Sequence, residues 1–553
     1  MKKLITTWNQ YKWFLILWFI INIIQALFTN LHYDEAYYWL YSQKLSWGYF
    51  DHPPMVALLA KIGDTIHHST LGIRILPIFM GVCVLLGIFH LIDDNINKKE
   101  VILFTISFPL ITSHAAGFLI LPDAPLIFFF VLYLFTYKRY LKDDNFKNIF
   151  IFSLIISAMI YSKYHAGLII IFTILSNTQL LNKKSFWLVG TLSAFFLLPH
   201  FIWQYNNNFP SLLYHLSDRA RGFELLNFGH HIYSQILLAG PFSGIIIIWL
   251  AFKFRPKSQF DKTLKYIVFG FYIFFLLYCF KGKVEAHWTS VSTIALIIIA
   301  YKELQFHLKI KKILPYLLFP TLFLLLIARI ILAGDHLEKE IVFKSDFINM
   351  DTWAEELDSI SEGNPILFTN KYHNLSIYSF SKDKWTPGAP HYNSRFSQID
   401  LNKIDSIYNG KKIFALNYGN QKKWKSKNNT KHRGSFINNY YSYTGLIINS
   451  ISLKTYNDSL FLTFKLINQT NKTFIFKKDN KQRLQLNYSI NNYKHKKYFS
   501  DISKTEMIKP FENIKFQLLI TDSLDISNLN LDIGLSSNSM RVFRLRNIKY
   551  NIR

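Results

Sequence analysis

Long apolar segments separated by polar loops dominate the first 333 residues. Eleven of them approach the ~20 residues that a helix needs to cross a bilayer. Those shorter than ~20 residues need tilt, loop extensions or local thinning of the bilayer. The first follows Met1-Lys2-Lys3 without a small-residue cleavage site, so we predict an uncleaved signal anchor. The eleven segments are 13–29, 71–92, 101–113, 124–137, 149–162, 166–181, 186–204, 232–252, 266–280, 289–301 and 313–333.

The pattern after residue 333 is that of a soluble chain. Trp353, Leu357 and Ile360 lie at helical spacing, and short apolar stretches follow at 366–368 and 413–416. These features predict a small α/β module. A polar, basic stretch from 420 to 439 looks like a linker.

Beyond that stretch the hydrophobic period changes to two. The alternation predicts half-buried strands with Asn, Asp and Ser turns between them, as in a β-sandwich. The predicted fold class is therefore a polytopic α-helical membrane protein with a C-terminal α/β module and a β-sandwich domain. We place the transmembrane domain at 1–333, the α/β module at 334–425 and the β-sandwich at 440–553.

Composition supports a membrane protein and excludes several soluble classes. Half of the residues are hydrophobic, 18% are charged and the formal net charge is +27. This balance argues against a cytosolic globular enzyme, a disordered chain and a DNA-binding protein, so no nucleic-acid partner is expected. Cys83 and Cys279 both fall inside apolar segments, where they form neither a disulfide framework nor a metal-binding spacing.

Lys and Arg residues collect in alternate loops, which sets the predicted orientation. We place these loops on the cytoplasmic side, with the N-terminus. Eleven spans then put the tail after residue 333 in the periplasm or at an equivalent outer face. The protein is thus expected in the cell (inner) membrane. The cytoplasmic cations are Lys98, Lys99, Lys138, Arg139, Lys142, Lys147, Lys183, Lys184, Lys253, Arg255, Lys257, Lys262, Lys309, Lys311 and Lys312.

The opposite set of loops carries acids and bases beside the ends of spans, where charged residues tend to mark function. Carboxylates and cations that converge from separate loops suit an anionic substrate at the membrane surface. These outer residues are Asp34, Glu35, Asp51, His52, Asp123, Lys163, His165, His215, Asp218, Arg219, Arg221, Lys281, Lys283, Glu285 and His287.

Two first-loop motifs resemble a known family. The stretches 32–39, His-Tyr-Asp-Glu-Ala-Tyr-Tyr-Trp, and 48–54, Gly-Tyr-Phe-Asp-His-Pro-Pro, are similar to the first outer loop of GT-C glycosyltransferases. The branch they resemble contains the protein O-mannosyltransferases and the lipid A aminoarabinose transferases. Shorter matches lie at 121–125, 162–164, 202–206 and 283–288.

The resemblance implies a polyprenyl-phosphate-sugar donor and an extracytoplasmic acceptor, which is a glycolipid, a glycan or a protein. It places Asp34 where the family has its catalytic acid, so we predict that Asp34 is the general base of an inverting transfer. Glu35 and Asp123 are the other predicted catalytic residues. The candidates for binding the donor phosphate are Lys163, Arg219, Lys281, Lys283 and His52.

The resemblance also allows for a divalent metal, with Asp51 and His287 as candidate ligands. The aminoarabinose transferase branch has Lys where this chain has His52, and Arg where it has Tyr37, so the donor sugar stays open. Simpler interpretations exist for individual residues. Asp34 could cap the following helix, and Asp51-His52 could form an ordinary turn. Lys163 could reach from a helix end towards the membrane surface, and His287 could be an interfacial anchor.

Two other functions are compatible with the pattern. A transporter or flippase of lipid-linked sugars would carry polar residues near the bilayer midplane, with repeats or broken helices. A membrane-anchored protein could instead bind glycans through its strand-rich tail. No nucleotide-binding loop or nucleophile elbow stands out in the sequence, which disfavours a pump or a hydrolase.

Overall fold

A computed structural model gives the architecture of the chain, which divides into two compact units, 1–349 and 350–553. We call them the membrane unit and the tail unit. The structure describes residues 2–550 apart from the following gaps: 93–96, 116, 216–223, 334–349, 370–371, 389–396, 403–404, 426–430, 457–458, 476–483, 491–492, 499–506, 521–528 and 538–544.

The described part of the membrane unit is helical. Each of the eleven predicted spans overlaps one or more helices, while α2, α3 and the single turn α10 occupy loops where no helix was predicted. The helices are α1 (Lys2–Phe28), α2 (Tyr33–Ser42), α3 (Met55–Ile66), α4 (Thr70–Ile92), α5 (Lys98–Ile106), α6 (Asp123–Lys142), α7 (Phe146–Ser162), α8 (Ala166–Ser176), α9 (Lys184–Asn206), α10 (Pro210–Leu213), α11 (Leu225–Ala239), α12 (Gly244–Lys253), α13 (Gln259–Tyr278), α14 (Ser290–Leu304) and α15 (Leu308–Ala333).

Among the described residues, five helices, α1, α4, α6, α9 and α15, are long and apolar enough to cross a membrane by length and composition. The count is six if α11 and α12, which meet at a bend of 89°, form one broken span. The other predicted spans lie on helices that do not meet both criteria, and among them α13 is as long as α6. The protein is therefore multi-pass, and the number of eleven crossings stays a prediction.

Helix α14 is central to the packing of the membrane unit. Its side chains from Ser290 to Tyr301 are buried all round. A helix that is apolar on every face belongs in the interior of a bundle. It packs against α4, α5, α6, α12 and α13. This packing brings Ser290, the first residue of α14, next to the start of α6.

The tail unit begins with α16 (Met350–Ile360), α17 (Tyr372–Ser381) and α18 (Gln398–Asn402). A mixed sheet has the strand order β1-β2-β4-β3, in which only β1 and β2 are parallel. Its strands are β1 (Ile366–Phe368), β2 (Ile413–Leu416), β3 (Lys422–Lys425) and β4 (Lys431–Ile437). The interpretation of 420–439 as a linker is therefore wrong, because β3 and β4 lie in this stretch and pair with each other.

The predicted strands of the last hundred residues are present. They form antiparallel sheets with the orders β11-β6-β5, β13-β12-β8-β9 and β10-β7. The strands are β5 (Leu446–Tyr456), β6 (Ser459–Asn468), β7 (Phe474–Ile475), β8 (Leu484–Ile490), β9 (Tyr493–Tyr498), β10 (Met507–Ile508), β11 (Asn513–Ile520), β12 (Leu529–Ser537) and β13 (Leu545–Tyr550). A separate β-sandwich domain at 440–553, like the other domain boundaries, stays a prediction.

One apolar core extends through the tail unit. Leu367 and Ile413, from the mixed sheet, belong to the same buried cluster as Leu462, Phe464 and Leu486 of the antiparallel sheets. Buried and less buried residues alternate along β6 and β11 as predicted, but their buried faces pack against the α/β part as well as against each other.

Candidate functional site

The first loop folds into two helices, and Asp34 lies in the first turn of α2. The N-cap of this helix is His32, whose Nδ1 accepts a hydrogen bond of 3.2 Å from the backbone N–H of Asp34. The side chain of Glu35 completes a capping box by accepting from the backbone N–H of His32. The simpler interpretation of Asp34 as the helix cap is therefore wrong. Its carboxylate stays about 28% exposed.

Glu35 lies in a buried ion pair with Arg74 of α4. The guanidinium donates from Nε to Oε1 at 2.9 Å and from Nη2 to Oε2 at 2.6 Å. Backbone N–H groups of His32 and Ile120 donate to the same carboxylate, each at 3.0 Å. Both side chains of the pair are fully buried. This carboxylate is therefore engaged on both oxygens, which suits positioning of the loop better than proton transfer.

The second first-loop motif is also fixed by its neighbours. The buried Asp51 accepts a hydrogen bond of 2.5 Å from the hydroxyl of Tyr41, in α2. The ring of Tyr41 stacks on Tyr49 with centroids 4.2 Å apart. The backbone oxygen of Asp51 lies 3.1 Å from Nε2 of His215, which comes from the loop after α10. Asp51 is thus part of a fixed substructure rather than an exposed turn.

Asp123 and Lys163 form a second buried ion pair. The ammonium of Lys163 donates to both oxygens of Asp123, at 2.9 and 2.8 Å. The hydroxyl of Ser290 donates to the same carboxylate at 2.5 Å. Asp123 is the first residue of α6, and Lys163 directly follows α7. Lys163 therefore points into the protein instead of reaching towards the membrane surface.

These acids converge around one aromatic side chain, Tyr38 of α2. Burial raises the pKa of the Tyr38 phenol well above its usual value, and the charges of Asp34, Asp51 and Asp123 raise it further. Three carboxylates from two separate loops thus act on one buried hydroxyl. The pKa of His52, whose ring lies 5.5 Å from that of Tyr38, is lowered to about 4, chiefly by burial. His52 is therefore neutral at pH 7 in the absence of an anion.

The two predicted metal ligands, Asp51 and His287, have different neighbours. The ring of His287 stacks on that of His114 with centroids 5.4 Å apart, and both imidazoles interact electrostatically with Asp123. Asp51 is held by Tyr41 instead. In the described part of the chain, no group of three or more His, Cys, Asp and Glu side chains could hold a metal ion. The residues present therefore do not fit a metal site, and the metal stays an untested prediction.

The remaining candidate cations differ in their placement. Lys281 and Lys283 are exposed, and Lys283 forms an ion pair of 3.3 Å with Glu285. In the described part of the chain, no hydrogen bond or ion pair joins either lysine to the Asp123–Lys163 pair. Arg219 lies outside the described residues.

Sequence reasoning missed Arg74, Tyr38 and Ser290. Arg74 could have been found, because it is a lone cation inside an apolar segment, and such residues usually have a specific partner. Tyr38 and Ser290 carried no such signal, since one is a tyrosine among several in its motif and the other a serine at a helix start. Only the packing of α2, α6 and α14 gives them their significance.

Comparisons with known proteins agree with this architecture. The family described as dolichyl-phosphate-mannose-protein mannosyltransferase matches residues 51–203, a range that contains Asp51, His52, Asp123 and Lys163. No curated protein matches the chain.

Two solved structures share the fold. The apo structure of ArnT from Cupriavidus metallidurans has a TM-score of 0.55 at 10% identity, over 77% of this chain and 98% of that one. The structure of the same ArnT bound to undecaprenyl phosphate has a TM-score of 0.54 at 11% identity, over 78% and 98%. At such identity the likeness concerns the fold.

Both findings fit a GT-C superfamily glycosyltransferase, so the resemblance inferred from the first-loop motifs is confirmed. The class is that of multi-pass membrane proteins of the ArnT-like GT-C fold.

Proposed function

We propose that the protein moves a sugar from a polyprenyl-phosphate donor to an extracytoplasmic acceptor, which is a glycolipid, a glycan or a protein. The observation that carries the proposal is the convergence of Asp34, Asp51 and Asp123 around Tyr38, beside Lys163. Acids and a buried cation at one point match the two needs of glycosyl transfer from a lipid phosphate. One is the removal of a proton from the acceptor, and the other is the stabilisation of a phosphate leaving group.

Asp34 is the best candidate for the general base. Asp51 accepts from Tyr41, Asp123 is paired with Lys163, and Glu35 is paired with Arg74. The carboxylate of Asp34, whose Oδ2 lies 4.0 Å from Nδ1 of His32, is partly exposed at the edge of the same cluster. In the proposed step, the acceptor hydroxyl gives its proton to Asp34 and its oxygen bonds to the anomeric carbon. The bond from that carbon to the phosphate oxygen breaks, the lipid phosphate leaves, and the configuration inverts.

Lys163 is the best candidate for holding the phosphate. Among the hydrogen bonds of the described residues, two of the three N–H bonds of its ammonium are directed at Asp123. The third N–H remains for a phosphate oxygen. His52 can donate a neutral hydrogen bond, and a bound phosphate would favour its protonation. The bound undecaprenyl phosphate in the ArnT structure of the same fold supports a polyprenyl-phosphate partner. Arg219, Lys281 and Lys283 remain secondary candidates.

We place the site and the tail unit on the outer face of the inner membrane, because the Lys and Arg residues collect in the opposite loops. A divalent metal has no role in the proposed step, since the described residues present no suitable set of ligands.

A flippase of lipid-linked sugars is the second candidate. One observation favours it, the bend of 89° between α11 and α12, because transporters commonly bind their substrates at broken helices. The acids and Lys163 lie elsewhere, however, in the first loop and at the ends of α6 and α7. Moving a lipid-linked sugar across the membrane breaks no bond, so it requires no general base beside a phosphate-binding cation.

Mass spectrometry of envelope lipids, glycans and proteins tests the proposal. Cells without the gene should lack one glycosyl addition, wild type should restore it, and Asp34→Asn should not. A matched control is Asp64→Asn, since Asp64 is in the same loop but pairs with His68 at 2.6 Å. Normal glycosylation in the deletion cells would contradict the proposal. A lipid-linked sugar that accumulates on the cytoplasmic side would indicate the flippase.

A further inference from the structure

The tail unit contains a cavity of about 370 Å³ that the glycosyl-transfer site does not use. We call it the tail pocket. It is lined by parts of the α/β region and of the strand region, including Asn409, Ser442, Thr444, Lys472 and Phe511. Its volume falls in the range of roughly 300–1,000 Å³ that is typical of small-molecule sites.

The hydroxyl groups in the wall have their protons directed away from the cavity. Ser442 and Thr444 donate to Oδ2 of the buried Asp405, at 2.6 and 2.8 Å. Thr470 donates to the side-chain oxygen of Asn468 at 2.8 Å. Ser442 and Thr470 each also accept one backbone N–H, from Thr444 at 3.1 Å and from Lys472 at 3.2 Å. A hydroxyl oxygen has two lone pairs, so each hydroxyl keeps at least one that can accept from a ligand. The wall is therefore rich in fixed acceptors.

Donors stand beside these acceptors. The side-chain oxygen of Asn409 accepts from the backbone N–H of Ser442 at 2.7 Å, which leaves the NH₂ group as the donor end of that amide. The ammonium of Lys472 donates to the hydroxyl of Ser406 at 3.1 Å and has further N–H bonds to offer. None of the described residues that line the pocket is acidic. The pocket thus suits a ligand with many hydroxyl groups, neutral or carrying a negative charge.

Phe511 adds an aromatic ring to the pocket. Its side chain is 72% exposed, although an aromatic ring is more stable when buried. It follows Pro510 in a turn closed by a hydrogen bond of 3.2 Å from the N–H of Glu512 to the oxygen of Lys509. Its φ of +57° is the positive value that the third position of such a turn can require. The turn thus holds an apolar ring at a polar cavity, where it can pack against the C–H face of a sugar.

We propose that the tail pocket binds a saccharide of one or two rings. The alternating acceptors and donors match sugar hydroxyls, and Phe511 with Tyr441 supplies aromatic surface. A lipid chain would leave these polar groups without partners. That the saccharide belongs to the acceptor rests on the proposed function, whereas saccharide binding itself does not.

The experiment uses the full-length protein in detergent and saturation-transfer NMR. The probes are the methyl glycosides of mannose, glucose, N-acetylglucosamine and glucuronic acid. Wild type should bind at least one of them. Phe511→Asn should weaken that binding at least about fivefold, the scale of one lost ring contact. Asn tolerates a positive φ, so the same variant should melt at the same or a higher temperature than wild type. Lys472→Gln should weaken the glucuronide most.

The matched control is Ile407→Ala, an exposed apolar residue next to Ser406 that does not line the pocket. It should bind as wild type does, and so should Asp34→Asn. Binding of none of the four glycosides, or equal binding by Phe511→Asn and wild type, would overturn the inference. Binding lost in Asp34→Asn but kept in Phe511→Asn would move the sugar to the membrane unit and overturn it too. Intact pocket binding without any glycosyl transfer would instead refute only the proposed function.

Discussion

Arg74 of α4 holds Glu35 of α2 through two hydrogen bonds, at 2.9 and 2.6 Å, with both side chains fully buried. The other N–H groups of the guanidinium donate to the backbone oxygens of Ala26, Thr29 and Asn30, so all five donors are used. One arginine therefore fixes the end of α1, the turn after it and the start of α2. Asp34, which precedes Glu35 in the first turn of α2, is the proposed base.

This relationship predicts that Glu35→Gln acts on stability first. Removing one charge leaves Arg74 buried without its counter-ion, a change that typically destabilises by about 3–5 kcal/mol. We expect a lower melting temperature in detergent and reduced activity at high temperature. The control is Lys183→Gln, which removes one charge of the exposed Lys183–Asp144 pair and should change little. An unchanged melting temperature with lost turnover would instead make Glu35 catalytic.

Asp34→Asn should behave in the opposite way. The substitution keeps the size of the side chain and removes the proton acceptor, while the cap at His32 does not depend on the carboxylate. We expect normal insertion and stability, with transfer reduced at least ~100-fold, the scale of a lost general base. The measurement is turnover with purified donor and acceptor, beside Asp64→Asn as the control. Turnover near that of wild type would remove Asp34 from the mechanism.

The apolar segments and the first-loop motifs were sufficient to predict the helical membrane unit, the strands of the tail and the GT-C class. Hydrophobic length and period carry that information locally along the chain. Pairing between distant residues is not local. The sequence carries no signal that pairs Lys163 with Asp123 or Arg74 with Glu35. The Lys-rich pattern of 420–439 predicted a linker, whereas the stretch forms the antiparallel pair of β3 and β4. β3 is exposed and Lys-rich, and β4 alternates exposed basic residues with buried ones, so the pair resembles a linker in its composition.

The affinity for undecaprenyl phosphate can distinguish the buried candidate cation, Lys163, from the exposed candidate, Lys283. Lys163→Gln removes a buried ammonium beside the acid cluster, so we expect binding at least about tenfold weaker, the scale of a charged hydrogen bond. Lys283→Gln changes an exposed lysine already paired with Glu285 and should have a much smaller effect. Native mass spectrometry in detergent can measure both. Equal losses in the two variants would count against the buried pair as the phosphate site.

The membrane orientation makes a direct prediction. In a background with Cys83 and Cys279 replaced by Ser, cysteines at the exposed positions Lys184 and Lys257 should react with an impermeant maleimide only from the cytoplasmic side. A cysteine at Lys283, and one in the loop just before Asp123, should react only from outside. The reverse labelling pattern would place the acid cluster on the cytoplasmic face and remove the argument for an extracytoplasmic acceptor.

Asp405 leads to the prediction for the tail. Its Oδ2 accepts hydrogen bonds of 2.8 Å from Tyr440, 2.6 Å from Ser442 and 2.8 Å from Thr444, all at the start of the strand region. The α/β region that contains Asp405 and the strand region share one apolar core. A cut at residue 440 therefore exposes buried apolar surface on both fragments.

We therefore expect a fragment of residues 350–553 to unfold cooperatively, while 440–553, which the sequence analysis assigned as a separate β-sandwich domain, should not. Circular dichroism and thermal melts of the two fragments can measure this difference. Within 350–553, Asp405→Ala should lower the free energy of unfolding by about 2–4 kcal/mol, because the buried Tyr440 and Ser442 and the half-buried Thr444 lose their hydroxyl acceptor. Glu362→Gln, which alters an exposed pair with Lys422, is the matched control and should change little. A cooperative melt of 440–553 at the same temperature as 350–553 would restore the strand region as an independent domain.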